Sequence, residues 1–321
     1  MNLDWKDPLL ELLGFVALFL AVGATAFRLI VLRAPRRLSG AADTSTLNAV
    51  ERRAALLGFI GALVWAGLFA WSLPQQAGRA HLTVTELLTS NPQARAQAVL
   101  RVAPAIGLAL ASGRVAFGWG LAALALVLAP FLSGFFGSWN RVVTPVHRFA
   151  AAMWIGTLFV MVSAGIATVL KSALPSERRG VLVAAMVNAF SPLALVSTGV
   201  LAVFGVTTAW QHLHTLDALW TTIYGKTLIV KLLMVGVVLA LGAWNWRRQK
   251  PRLGSEAGAI GLRRSATGEL IAAALVLVIS AILVSVPSPR RPGAPGAPPP
   301  GGAPAGGQPL APGSSAPDSS R

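Results

Sequence analysis

The chain has 321 residues, of which 55% are hydrophobic and only 12% charged, with a mean hydropathy of +0.65. Soluble domains carry about 25% charged residues, so this composition excludes an ordinary water-soluble globule and points to a polytopic membrane protein. The net charge of +16 (27 basic minus 11 acidic) would suggest nucleic acid in a soluble protein. Here the basic residues cluster between apolar runs, so the expected surroundings are a lipid bilayer and no nucleic-acid partner is expected. Cysteine is absent, which removes disulfides and thiolates from the available chemistry. Only helices and closed barrels satisfy every backbone group in lipid, and these apolar runs are continuous rather than alternating. The expected fold is all-α, a membrane helix bundle of about eight transmembrane helices.

The first span is expected over Leu9–Leu32; its flank is not basic and no small-residue cleavage site follows, so it does not read as a signal peptide. A basic loop, Arg33–Arg53, leads to a second span over Ala54–Leu73. Gln75–Ala96 is polar, holds His81, and contains a short amphipathic helix at Thr83–Leu88. A third span, Gln97–Ser112, carries Arg101 and Pro104, with Arg101 snorkelling to the nearer surface. After a tight turn at Ser112–Arg114 comes a fourth span, Val115–Phe136. The fifth runs His147–Leu170. The sixth, Val187–Trp210, has an amphipathic lead-in. A polar turn, Gln211–Thr222, holds His212 and His214. The seventh span is Ile223–Trp246 and the eighth Ala266–Val286. From Pro287 the composition turns to Pro, Gly, Ala and Ser, which cannot bury enough apolar surface to offset its ordering entropy, so a disordered tail is expected over 287–321. The organisation is thus an N-terminal four-span half, 1–136, a second four-span half, 137–286, and the tail.

Charge sets the orientation. Loop one carries Arg33, Arg36, Arg37, Arg52 and Arg53; loop five carries Lys171, Arg178 and Arg179; loop seven carries Arg247, Arg248, Lys250, Arg252, Arg263 and Arg264. These loops are expected in the cytoplasm, with both termini outside. All four histidines, His81, His147, His212 and His214, then fall on the outer side.

Several stretches resemble one known family. VHRFAAAMWIGTL at Val146–Leu158, which contains Trp154, resembles the opening of the copper resistance D domain. AFSPLALVSTGVLAVFGVTTAW at Ala189–Trp210, ALWTTIYGKTLIVKLL at Ala218–Leu233, LGAWNWRR at Leu241–Arg248 and LRRSATGELI at Leu262–Ile271 are similar to its later elements, in order and at matching spacing. FRLIVL at Phe27–Leu32 adds to the likeness. The resemblance implies a bacterial inner-membrane (plasma-membrane) protein that handles copper and moves it across that membrane. It also implies a small periplasmic carrier of the copper resistance C type as a partner, here expected on a separate chain. The sequence departs from the family near Ser133–Ser138, where Phe135 and Phe136 stand in place of a histidine.

Copper ions, Cu+ or Cu2+, take imidazole ligands, and thioether sulfur suits Cu+. Without cysteine the candidates are His147, His212, His214 and His81 outside, with Met153 and Met161 as stations along the fifth span. His147 and Met153 are about 9 Å apart along a helix axis, and Met153 and Met161 fall on broadly similar faces. His212 and His214 can approach one ion if their turn is extended. Each has a plainer reading as well: methionines in spans usually pack, and a histidine in an exposed turn is often only that. Lys231, inside the seventh span, matches the family lysine and is a candidate gate. Glu269 enters the last span from the inner side, and Asp217 lies in the outer turn. Glu11 is a carboxylate in the first span, Arg28 is expected to reach the inner surface, and Met234 is a further sulfur in the seventh span. No Walker loop, dinucleotide turn or nucleophile elbow is present, so no enzyme is expected. Two other readings compete with transport. A scaffold that docks a copper carrier or assists cuproenzyme assembly needs ligands only outside. A haem electron carrier needs facing histidines inside spans.

Overall fold

The computed structural model describes residues 6–213, 215–249 and 255–285, with side chains at a few of these positions, His212 among them, outside the described set. Among the described residues all regular structure is helical. In chain order the helices are α1 (Lys6–Arg37), α2 (Ala41–Arg79), α3 (Val84–Ser90), α4 (Pro92–Ser112), α5 (Phe117–Phe131), α6 (Val143–Leu170), α7 (Ser176–Leu213), α8 (Ile223–Gln249) and α9 (Glu256–Ser285). Seven of them, all but α3 and α5, are long and apolar enough to cross a membrane. The protein is an all-α polytopic membrane bundle.

The helices outrun the apolar segments that mark them. α7 has 38 residues, or about 57 Å at 1.5 Å per residue, nearly twice a bilayer core of about 30 Å. Hydropathy finds only the part in lipid; the charged continuations stay helical. α9 begins at Glu256, ten residues before the apolar run, and carries Arg263 and Arg264 within it. The fourth predicted span differs most. α5 is α-helical only to Leu128, tightens to a 3-10 turn at Ala129–Phe131, and is followed by one short turn, Leu132–Phe135. Pro130 lies in that turn and cannot donate the backbone bond that a continuing helix needs. The short helix foreseen after His81 is α3, where Thr83 Oγ1 accepts from Glu86 N (3.2 Å) and Glu86 Oε2 accepts from Thr83 N (2.8 Å), a capping box. The same bonds hold the Glu86 carboxyl below its usual range, the Thr83 N–H contributing most.

α1 is the organising helix. It packs against α2, α6 and α9. It feeds two apolar clusters: one around Phe27, Val31, Leu158, Met161, Ile166 and Met186, the other around Phe19, Val22, Trp65, Leu108 and Trp119. α4 packs between α2 and α5, α7 against α6 and α9, and α8 against α9. α1 and α6 meet at Gly23 and Gly156. A Cβ on Gly156 would lie 2.2 Å from the Phe19 carbonyl oxygen, and one on Gly23 would lie 2.2 Å from the Gly156 carbonyl carbon. Small residues let membrane helices approach this closely, and dispersion and packing hold them there. Both helices contain wide π turns, Phe27–Val31 in α1 and Ala152–Gly156 and Met161–Ile166 in α6.

Antiparallel packing sorts the helix ends into two sets. The start of α1, the end of α2, the starts of α4 and α6 and the end of α7 share one end of the bundle, here the histidine end. The opposite end carries most of the arginines, and several are paired. Arg28 Nε donates to Glu51 Oε1 (2.6 Å), Arg36 Nη2 donates to Glu51 Oε2, and Trp119 Nε1 donates to Glu51 Oε1 (3.1 Å). Arg28, expected to reach the surface at this end, is paired there with Glu51. The α1–α2 hairpin brings Glu51 beside it, a pairing of residues 23 apart that composition does not reveal. The Asp43 side chain, 3% exposed, accepts from Arg178 Nη2 (2.6 Å) and Nε (3.1 Å), tying the α1–α2 turn to the start of α7. Arg53 Nη1 donates to Thr168 Oγ1 (2.8 Å). On the bundle's outside, α7 leaves Val196, Val203 and Val206 at least 65% exposed, as a lipid-facing surface requires.

Candidate functional site

His147 lies in the second turn of α6, half-buried against α7. Its Nδ1 is 3.2 Å from the Leu201 carbonyl oxygen. A carbonyl only accepts, so this contact places a proton on Nδ1; in the neutral imidazole Nε2 is then the bare lone-pair nitrogen. A carbonyl behind one ring nitrogen is the usual support of a metal-binding histidine. The ring lies over Gly205, one turn further along α7: a Cβ there would come within 3.0 Å of His147 Cε1. The glycine gives the imidazole its seat.

The surroundings of His147 are positive. Lys231 on α8 and Arg148, its neighbour on α6, both act on it electrostatically, and Arg148 also acts on Lys231. Lys231 is half-buried at the third turn of α8. Arg148 Nη2 in turn lies 3.8 Å from Glu11 Oε2.

The other candidates are dispersed. α7 runs through Leu213, so His212 belongs to its last turn rather than to an extended turn. It is seven residues beyond Gly205, on the same side of the helix by register and about 10 Å further along the axis. His214 lies outside the described residues. His81 is exposed, with φ of 56°. It follows Ala80, the C-cap of α2, and Leu82 N donates back to Ala77 O (2.9 Å), which closes a Schellman cap. Its observed job is to end a helix in the left-handed region, where glycine is unstrained. His81→Gly is therefore expected to raise stability by about 1 kcal/mol, read as a higher Tm of the purified protein; an unchanged or lower Tm would contradict the capping role.

Met153 packs against the Phe19–Trp65 cluster, while Met161, 2% exposed, is buried in the Phe27–Met186 cluster. The wide turn at Ala152–Gly156 alters the rotation between them, so equal faces counted at 100° per residue do not carry over. Trp154 is buried in the same cluster as Met161, and Met234 packs at its margin. Glu269 is half-buried on α9, with Oε2 3.8 Å from where a Cβ on Gly242 of α8 would be. Asp217 is exposed and precedes the short helix Ala218–Thr221. Among the described residues no three His, Cys, Asp or Glu side chains gather as a metal site.

One motif has a structural account. In the Thr-Ile-Tyr-Gly stretch, Thr222 Oγ1 accepts from Gly225 N (3.0 Å) and caps α8. A Cβ on Gly225 would sit 2.2 Å from Ala218 O, so the preceding turn folds directly onto that glycine.

Sequence reasoning missed the polar chamber beside α6. Arg101 does not snorkel free. Its Cζ sits 4.0 Å from the Trp65 ring centroid and 5.6 Å from that of Phe69. Arg148 lies over Phe15 at 5.0 Å. The available signal was the charge itself, since ionisable residues inside spans rarely lack a function.

The family model described as copper resistance protein D matches residues 184–283. Among curated proteins, the chain is similar to the copper transport protein CutJ of Bacillus subtilis (strain 168), 28% identical over 150 residues. That alignment spans 46% of this chain and 25% of the relative, so the chain spans about a quarter of the length of the curated relative it matches. No solved structure matches the chain. The matched segment holds α8 and its capped Thr-Ile-Tyr-Gly entry, Lys231, most of α7 and nearly all of α9. Over residues 184–283, therefore, the chain is similar to the copper resistance protein D family.

Proposed function

We propose that this protein takes up copper across a bacterial inner membrane, receiving the ion at His147 Nε2 on the outer side. The single observation behind this reading is the 3.2 Å contact of His147 Nδ1 with the Leu201 carbonyl, which fixes the tautomer that offers Nε2 to a metal. Copper itself comes from the family and from the printed name of the relative. The arginine-rich end is taken as cytoplasmic by the positive-inside rule, which puts both termini and the histidine end outside.

The positive surroundings bear on the ion. Repulsion from Lys231 and Arg148 scales with the charge of what binds, so a dication meets twice the opposition of a monocation. Cu+ also suits imidazole and thioether ligands, the only soft donors available in a chain without cysteine. The cargo is therefore Cu+. Beyond His147 the proposed inward stations are Met153 and Met161, with Glu269 at the inner side. His212 and His214 are proposed as outer capture residues that take the ion from a periplasmic carrier of the copper resistance C type.

Tight packing favours one second reading. Met161 and Met186 are 2% and 0% exposed, and the Met186 sulfur lies only 3.1 Å from where a Cβ on Gly165 would be. An interior so filled suits a scaffold that receives copper outside and hands it on there. Uptake of copper into proteoliposomes, alongside the copper bound per protein, separates the two. Under the transport reading His147→Ala lowers both uptake and bound copper by about tenfold, and Met161→Leu lowers uptake alone. Wild-type binding with no uptake in any variant would establish the scaffold. Unchanged binding in His147→Ala would remove the site.

A further inference from the structure

At the histidine end of the bundle, reached from α6 by Arg148, lies a cavity of about 700 Å3 walled by α1, α2, α4 and α6, with Val284 of α9 also lining it. Its chemistry is unusual for a membrane protein. Arg101 of α4 and Arg148 of α6 line it, and so do Asp7 and Glu11, one helical turn apart on α1.

The two guanidinium groups are held by aromatic faces rather than by acceptors. Arg101 sits on Trp65 and Phe69, and Arg148 on Phe15. Stacking on a ring stabilises the charge but uses none of the five in-plane N–H donors. Among the described residues no oxygen accepts a hydrogen bond from Arg101. Arg148 reaches Glu11 only at 3.8 Å, an ion pair too long for a hydrogen bond. Arg101 is the tenth residue of a membrane-spanning helix, where an arginine whose donors lack partners is costly. Rigid guanidinium forks are the usual partners of planar or tetrahedral oxyanions. The remaining polar wall comes from Ser72, Gln75, Gln76 and Gln97. Gln76 Nε2 donates to Ser72 Oγ (2.8 Å), so part of that wall is already ordered.

Charge balance narrows the ligand. Two arginines and two carboxylates sum to zero, so a bare anion would leave the chamber negative and an ammonium alone would leave it positive. A group with both charges leaves it neutral. We propose that this cavity binds a phosphate and primary ammonium pair, the phosphate between Arg101 and Arg148 and the ammonium toward Asp7 and Glu11. The phosphoethanolamine headgroup of a membrane lipid carries this pair, and so does free phosphoethanolamine. Neither depends on copper, so the proposal stands or falls apart from the transport reading.

The full-length protein in nanodiscs tests it, with retained lipid read by native mass spectrometry and Tm read in parallel. Phosphatidylethanolamine should be retained about tenfold over phosphatidylcholine, whose quaternary ammonium has no N–H, and over phosphatidylglycerol, which has no ammonium. Arg101→Gln should abolish retention of phosphatidylethanolamine. Asp7→Asn, at an exposed position that cannot unfold the bundle, should erase the preference for phosphatidylethanolamine over phosphatidylglycerol. Arg114→Gln, outside the cavity, should change nothing. A free source is established instead if millimolar phosphoethanolamine raises Tm in pure phosphatidylcholine discs, with the same dependence on Arg101 and Asp7, while lipid retention shows no preference. Equal retention of the three lipids together with no Tm response to phosphoethanolamine would overturn the proposal. So would a preference that survives both Arg101→Gln and Asp7→Asn.

Discussion

Gly156→Val is expected to leave little folded protein. The new Cβ would start 2.2 Å from the Phe19 carbonyl oxygen and 3.0 Å from its carbonyl carbon. The obstacle is backbone on a neighbouring helix, so no rotamer change relieves it; α1 and α6 must separate. Separation would loosen both apolar clusters, because α1 contributes to each. Overpacking commonly costs about 1–3 kcal/mol when side chains can yield, and here the upper end or beyond is expected. Fluorescence-detected size exclusion of detergent extracts, with the Tm of whatever elutes as monodisperse protein, measures it. Gly199→Ala is the control, since nothing lies within 4 Å of its Cβ position. A wild-type profile for Gly156→Val would show that the two helices do not cross at this point.

Asp43→Ala is expected to have the next largest effect. The carboxylate is nearly buried and accepts from Arg178 and from Gly40 N (2.8 Å). Removing it strands the guanidinium and frees the α1–α2 turn. Losing one partner of a buried ion pair costs about 3–5 kcal/mol; with Arg178 still 32% exposed, the lower figure is expected. Arg178 Nη2 also donates to Leu38 O (2.5 Å), so Arg178→Met should be milder than Asp43→Ala only if that backbone bond contributes little. Thermal unfolding and limited proteolysis at the α1–α2 turn report both variants. Equal Tm for Asp43→Ala and wild type would mean that the pair does not hold the turn.

Much of the fold was legible because hydropathy in a membrane protein is close to the folding force itself. Each of the eight apolar runs corresponds to a helix, although the fourth is short and broken at Pro130. What stayed hidden was the charged part of each helix. Composition cannot say whether Arg33 or Arg263 continues a helix or starts a loop, since both are good helix formers outside lipid. Pairing was hidden for another reason. Glu51 meets Arg28, Arg36 and Trp119 only through the register of antiparallel helices, and a list of residues carries no register.

The candidate site divides the same way. His147 is a candidate by its motif, which lies outside residues 184–283. Its partner, the Leu201 carbonyl, is a backbone atom that no motif can mark. The Tyr-Gly element reads as a signature but works as a cap and a close contact. Arg101 was visible as a charge in a span. Its aromatic seat on Trp65 needed α2 and α4 to be docked first.

The wide turns in α1 and α6 carry a consequence for how such a chain can change. Each π turn holds one residue beyond what a regular helix needs for the same rise. A single-residue insertion or deletion elsewhere in a packed helix turns every later side chain by about 100° and exchanges its buried face for its lipid face. At Phe27–Val31, Ala152–Gly156 and Met161–Ile166 the extra residue is already absorbed, with the glycine crossing at the end of the second of these turns. Change of length is normally confined to loops. In this bundle it has a place within the membrane, beside the residues that the packing can least afford to rotate.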